Sequence, residues 1–292
     1  MARALVQASM PYKDPKADAY ERRNGKFRLR ILAGYYGGIP YGIYPRLLMS
    51  WLTTECVKTQ SPTLELGHSL RNFLLDVMDV QHFTGGKNGS ITRVTEQMKR
   101  LFGSVVTATF DGDNKSFKLR GVMVAHDVTL DEKQFQRQLL EDRENNEKRL
   151  WTPLAPEDAG KWQSELHLNQ HFFEECVTNP VPIDLRAYKA LRGSPMAMDL
   201  YNWLTYRMSY TRRPTHPIPW ESLMMQFGTD FSGYADKTQA IRDFKKYFIQ
   251  AAKAVQVVYP EAKLEAQDNG LVLYPSPTHI KRLEEQQGDL FK

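Results

Sequence analysis

Cysteine is nearly missing from this sequence: Cys56 and Cys176 are the only two in 292 residues. Two thiols so far apart make no disulfide framework, and they fit a reducing compartment better than a secreted one. No apolar run approaches the roughly 20 residues that a membrane span needs, and no signal-peptide pattern opens the chain. The expectation is a cytoplasmic protein without membrane contact, its thiols buried as packing groups. Cys56 stands close to Trp51 and Leu52 on one amphipathic stretch.

Catalytic and metal-binding patterns are also wanting. His167 and His171 are four apart, but the glutamate of a zinc-protease helix is missing and the pair straddles a strand-to-helix junction. The run from Gly85 to Ser90 has the glycines of a phosphate loop without its Lys-Ser/Thr ending. Asp111-Gly-Asp-Asn114 is too short for a calcium loop. His68, His82, His126, His216 and His279 form no relay with a serine or cysteine, and no paired-histidine strand precedes a tyrosine nucleophile. The expectation is a protein that is not an enzyme and holds no metal or cofactor.

What is present is enough apolar residue, 41%, for two ordinary cores, and a net charge of +5 with a pI near 9.0. That charge permits a polyanionic partner without requiring one. Residues 1–25 show no periodicity and read as a flexible arm carrying Arg22 and Arg23. Phe27, Leu29 and Ile31 alternate with Arg28 and Arg30, a strand pattern. A glycine-rich loop follows. Leu47, Leu48, Trp51, Leu52 and Cys56 then mark a buried helix, with Pro45 in its first turn. A short strand at 63–66 precedes a second helix capped by Ser69.

The third helix, read over residues 89–102 with Ser90 as its cap, has Ile91, Val94, Met98, Leu101 and Phe102 on one stripe. Arg93, Gln97 and Arg100 fall on the opposite side, the residue types that read base edges and grip phosphates. Strands at 105–110 and 117–124, joined by Asp111-Gly-Asp-Asn114, complete the order of a winged helix, whose third helix docks in the major groove. Thr92 and Lys99 beside the reading face, and Lys118 and Arg120 on the wing, are candidate phosphate contacts.

The second half repeats the first at an offset of 152 residues, Trp51-Leu52-Thr53 matching Trp203-Leu204-Thr205 and Pro62-Thr63 matching Pro214-Thr215. Leu66 falls on Ile218 and Ser69 on Glu221. The second third helix, 237–258, buries Ile241, Phe244, Phe248, Ala251 and Val255 and exposes Gln239, Arg242, Lys246, Gln250 and Lys253. A hairpin around Asp268-Asn-Gly270 supplies its wing. The fold class is therefore α+β, with two tandem winged-helix domains. The divisions are an arm at 1–25, a first domain at 26–178 including a charged connector at 131–162, a second domain at 179–280, and a tail at 281–292. Two basic third helices in equivalent places point to duplex DNA.

Several blocks carry a family resemblance: Asn24 to Ala33, Ile39 to Leu48, Trp51 to Glu55, Leu66 to Leu70, Thr84-Gly-Gly86, Ile91 to Phe102, Pro180 to Leu185, Ala197 to Arg207, Trp220-Glu221, Gln226 to Gly228 and Tyr274 to Pro277. In this order and spacing, over about residues 24–280, they resemble the RepA-type plasmid replication initiators. The resemblance implies a bacterial protein that binds repeated duplex sites at a plasmid origin, helps open them, and recruits the host replicative helicase or initiator. It also implies autorepression, and a plan similar to tandem winged-helix initiators whose monomers and homodimers have different roles. The competing reading is a winged-helix transcriptional repressor without a part in initiation. Independently, Gln287, Leu290 and Phe291 in the tail fit the Gln-x-x-Leu-Phe pattern that hooks the bacterial sliding clamp, with Gly288 in place of the preferred leucine.

Overall fold

A computed structural model describes Val6, Met78 and residues 9–65, 89–111, 117–128, 165–178, 180–228 and 236–280. Among these, two helices are buried almost all round, as central rods of a core must be. The first is α1, Ile43–Thr59, with Pro45 in its opening turn and Leu47, Leu48, Leu52 and Cys56 sequestered. Gln60, in the left-handed region at φ 52°, ends it. The second is α5, Pro195–Met208, capped by the Ser194 side chain on the Ala197 N–H and burying Leu200, Tyr201, Trp203 and Leu204. Their first residues are 152 positions apart, so the sequence repeat is a repeat of structure.

The second unit runs α5, strand β8 (Ile218–Pro219), α6 (Trp220–Phe227), α7 (Lys237–Val258), β9 (Leu264–Ala266) and β10 (Gly270–Leu273). Its sheet has the order β8-β10-β9. Gly270 is required where β10 meets β8, since a Cβ there would lie 2.3 Å from the Ile218 carbonyl oxygen. Between the two units lie α3 (Gln170–Thr178), begun by Asn169 on the His171 N–H, and α4 (Leu185–Ala190), capped by Asp184. The Arg186 side chain, with two backbone N–H groups, holds the Asp184 carboxyl below its ordinary range.

The first unit differs from the expected plan in its strands. Strand β3 (Thr63–Glu65) pairs with β7 (Glu165–Leu168), and β7 with β6 (Ala125–Val128), an order β3-β7-β6 that repeats β8-β10-β9. Thr63 faces His167 in β7, and its repeat partner Thr215 donates its N–H to the Leu273 carbonyl of β10. The hairpin read as the first wing, β4 (Ser104–Asp111) with β5 (Phe117–Met123), belongs instead to a four-stranded antiparallel sheet with β1 (Ala19–Asn24) and β2 (Phe27–Ala33), in the order β1-β2-β4-β5. The reason is apolar register: β2 sets Leu29 and Ile31 opposite Ala108 and Val106, so the buried face of β2 continues onto β4. The connector at 131–162, the helix capped by Ser69 and the tail lie outside the described residues.

The N-terminal stretch is not a loose arm over its described part. Strand β1 (Ala19–Asn24) pairs along its length with β2, Val6 and Met10 are buried, and the Ser9 hydroxyl donates to the Gln226 carbonyl. At its centre Arg46 of α1, fully buried, meets Asp199 of α5 through two hydrogen bonds of 2.8 Å. The same guanidinium takes the carbonyls of Met10, Pro11 and Gly42. Burial pushes the phenols of Tyr12 and Tyr188 beside it upward, so both stay neutral. The two units and the N-terminal stretch are one body with a continuous apolar core from Leu29 and Leu48 to Leu204 and Phe248. Cys56 and Cys176 are both free and buried in it.

Candidate nucleic-acid interface

Helix α7 starts where Asp236 accepts from the Thr238 N–H, and its apolar residues fall three and four apart. Ala240, Phe244, Phe248, Ala251, Ala252 and Val255 are buried. Phe248 packs edge-on to Trp220 and Phe227 at ring distances of 5.8 and 5.7 Å, fixing α7 against α6. Ile241, expected in the core, is half-buried at its margin. The opposite stripe comprises Gln239, Arg242, Lys246, Gln250 and Lys253, and all five are exposed, as the periodicity predicts. Gln239 accepts from Arg242 at 3.3 Å and donates to Asp243 at 3.1 Å, which orders its amide without covering it. Tyr247, next to Lys246 and 61% exposed, borders the stripe. A helical projection at 100° per residue would have found it.

The corresponding helix of the first unit, α2 (Ser90–Phe102), is a different surface. Val94, Met98, Leu101 and Phe102 are buried as expected, and Thr92 and Arg93 are exposed. Gln97, expected to face out, is 5% exposed, and its side-chain oxygen accepts the Tyr41 N–H at 2.8 Å. Arg100 is only 12% exposed: it donates to Glu96 at 3.0 Å, to Asp14 at 3.3 Å and to the Ile39 carbonyl, and lies over the Tyr41 ring. Burial works against its charge, yet Glu96 and Asp14 together hold the guanidinium above its ordinary value.

The cause is the glycine-rich loop at 34–42, which folds back over this face of α2. Gly34 passes so close to Gly103 that a Cβ would sit 2.2 Å from its carbonyl oxygen, and Gly37 presses on Glu96. Arg93 and Arg100 are one side of a helix in sequence but two environments in the fold. Lys99 is half-buried, and Lys118 and Arg120 lie on β5, in the four-stranded sheet rather than on the strands that pair with β3. Gln287, Leu290 and Phe291 lie outside the described residues. His167 contacts the Thr63 hydroxyl and His171 lies near Glu174, and no metal-holding group of side chains occurs among the described residues.

Architecture and surface define a tandem winged-helix-like protein with one exposed basic third helix. The family of plasmid-encoded RepA proteins matches residues 39–221, and the chain belongs to that family, a family of plasmid replication proteins. In structure it is similar to domains 2 and 3 of RctB, at 11% identity and a TM-score of 0.50, covering 94% of this chain and 99% of that one. At that identity the likeness concerns the fold alone. No curated protein matches it significantly. Among the described residues no helix is long and apolar enough to cross a membrane.

Proposed function

We propose that the protein is a plasmid replication initiator that binds repeated duplex sites at its origin and acts by binding rather than by catalysis. The observation that carries this reading is the α7 stripe, where two amides and three cations face outward on the third helix of a winged-helix unit. Arg242, Gln239 and Gln250 have the donors and acceptors for base edges, and Lys246 and Lys253 have the charge for phosphates. In the first unit Arg93 and Thr92 supply the contact, with Lys99 on the same helix; Lys118 and Arg120, on β5, are further candidates for phosphate. Gln97 and Arg100 hold the loop at 34–42 in place instead.

A plasmid carrying this gene with its flanking direct repeats and an A/T-rich segment is expected to replicate in the bacterial host, and to stop when the repeats are deleted. Failure of the intact plasmid to replicate, with duplex binding preserved, would leave a repressor. The same reading includes recruitment of a host helicase or initiator, an exchange between monomer and homodimer, and a tail that hooks the sliding clamp. Replacing Leu290 and Phe291 with alanine is expected to abolish retention of the clamp on immobilised protein; equal retention by the intact and altered chains removes that contact.

A further inference from the structure

Arg207 closes the last turn of α5 in an unusual setting. Its guanidinium carbon lies 5.5 Å over the Trp203 ring and 5.4 Å over the Tyr210 ring. Its Nε is buried with no hydrogen-bond partner, and among the described residues no carboxylate or other acceptor meets the guanidinium. Arg207 as a whole is half-buried, so it is the Nε–H that is withdrawn from water without a partner, and an unmade hydrogen bond from a charged group is costly. Arg207 lines a cavity of about 260 Å³, together with Asn24, Trp203, Tyr206, Tyr210 and Ser222, at the junction between the end of β1 and helices α5 and α6. Among the described residues no acidic side chain lines it, and Arg207 is its one charged group.

The repeat separates this feature from the needs of the scaffold. At the same offset of 152, Arg207 corresponds to Glu55, Tyr206 to Thr54 and Tyr210 to Lys58. Glu55 pairs with Lys58 at 3.2 Å on the surface of α1. The first unit thus builds the same helix with an ordinary ion pair where the second has a cation between aromatic rings. Of the residues in this cluster, the tryptophan alone recurs, as Trp51 and Trp203.

We propose that this cleft binds a nucleotide, its phosphate on the Arg207 guanidinium and its flat ring against the edge-to-face pair Tyr206 and Tyr210, whose ring centroids lie 5.2 Å apart. Guanidinium N–H groups fork onto phosphate oxygens, and tyrosine faces accept any base by stacking. The nucleotide is a unit of a DNA strand or a free mononucleotide. Taking a strand as the source rests on the proposed role in DNA binding, but the cleft is separate from the α7 stripe.

The test is fluorescence anisotropy of a short labelled oligo-dT on the full chain, with dTMP and inorganic phosphate as competitors. Arg207→Gln removes the charge. Ser222→Asp leaves Arg207 in place and adds a carboxylate to the cavity lining, in the first turn of α6, where the helix dipole favours it; a circular-dichroism melt checks that it folds. Both variants are expected to bind the oligomer at least about tenfold more weakly, the effect of one charge-assisted contact. Arg242→Ala, which reports on the groove helix, is expected to leave this binding in place, so that failure of one assignment is not failure of the other. An oligomer that binds tighter than dTMP identifies the strand as the source, and equal binding identifies the mononucleotide; either supports the cleft. Unchanged affinity in both folded variants overturns the proposal, as does inorganic phosphate competing as well as dTMP, which removes the ring contact.

Discussion

Arg46→Ala is expected to destabilise the protein by about 3–5 kcal/mol, the cost of leaving one member of a buried ion pair without the other. Arg46 is wholly buried and Asp199 nearly so, and the fork between them is matched at both oxygens. Removing the guanidinium leaves a carboxylate that burial already pushes upward, plus three backbone carbonyls, of Met10, Pro11 and Gly42, with no donor from that side. Urea unfolding should show the loss as a lower midpoint at unchanged slope. Arg46→Lys keeps the charge but not the fork, and should recover only part of the stability. Arg46→Met combined with Asp199→Leu leaves no uncompensated charge and should cost less than the two single changes together. A loss under about 1 kcal/mol for Arg46→Ala would mean that the pair does not hold the two units together, contrary to its geometry.

The second large effect is on DNA. Arg242→Ala should weaken binding to the origin repeats by about 1–3 kcal/mol, roughly five- to 150-fold, while leaving binding to unrelated duplex nearly unchanged. Lys246→Ala should instead weaken all sequences alike and reduce the dependence of log K on log salt by about one unit. Titrations at several salt concentrations, with specific and scrambled duplexes, separate the two. The exposed stripe of α7 is the reason to expect this division: Arg242 shares its end of the helix with the ordered Gln239 amide, and Lys246 stands one turn further on. If both changes leave both kinds of binding intact, α7 does not enter the groove. Gln97→Ala gives the contrast, since that side chain serves the Tyr41 N–H and its loss should appear in stability rather than in sequence preference.

Much of the second unit was legible from residue order. The apolar stripe of α7 identifies which side of the helix is buried, and among the described residues the other side stays exposed, so Gln239, Arg242, Lys246, Gln250 and Lys253 face outward as their spacing predicts. In α2 the buried stripe also follows the periodicity at Val94, Met98, Leu101 and Phe102, but the opposite face does not lie open. Periodicity reports which side of a helix avoids water; it does not report whether a loop from elsewhere covers the polar side, as Tyr41 and Ile39 cover Gln97 and Arg100.

Strand β1 escaped notice for a related reason. As an edge strand it needs only one hydrogen-bonded neighbour, and its Ala-Tyr-Glu-Arg-Arg-Asn carries no apolar row to betray it. The pairing of β3 with β7 joins residues about a hundred positions apart, beyond any local signal, and the adjacent hairpin β4-β5 was the natural but mistaken choice. The repeat held the clue, since Thr63 and Thr215 occupy matching places beside β7 and β10.

The Ser9 hydroxyl and the Gln226 carbonyl are neighbours in space and 217 residues apart in the chain. A ribosome adding about 5–20 residues per second delivers Gln226 roughly 10–40 s after Ser9. For most of that interval the N-terminal stretch has β2 to pair with but neither Asp199 nor α6 to rest on. Its final closure therefore comes late in synthesis, and a nascent chain released before α6 emerges keeps its first residues open to proteases and chaperones.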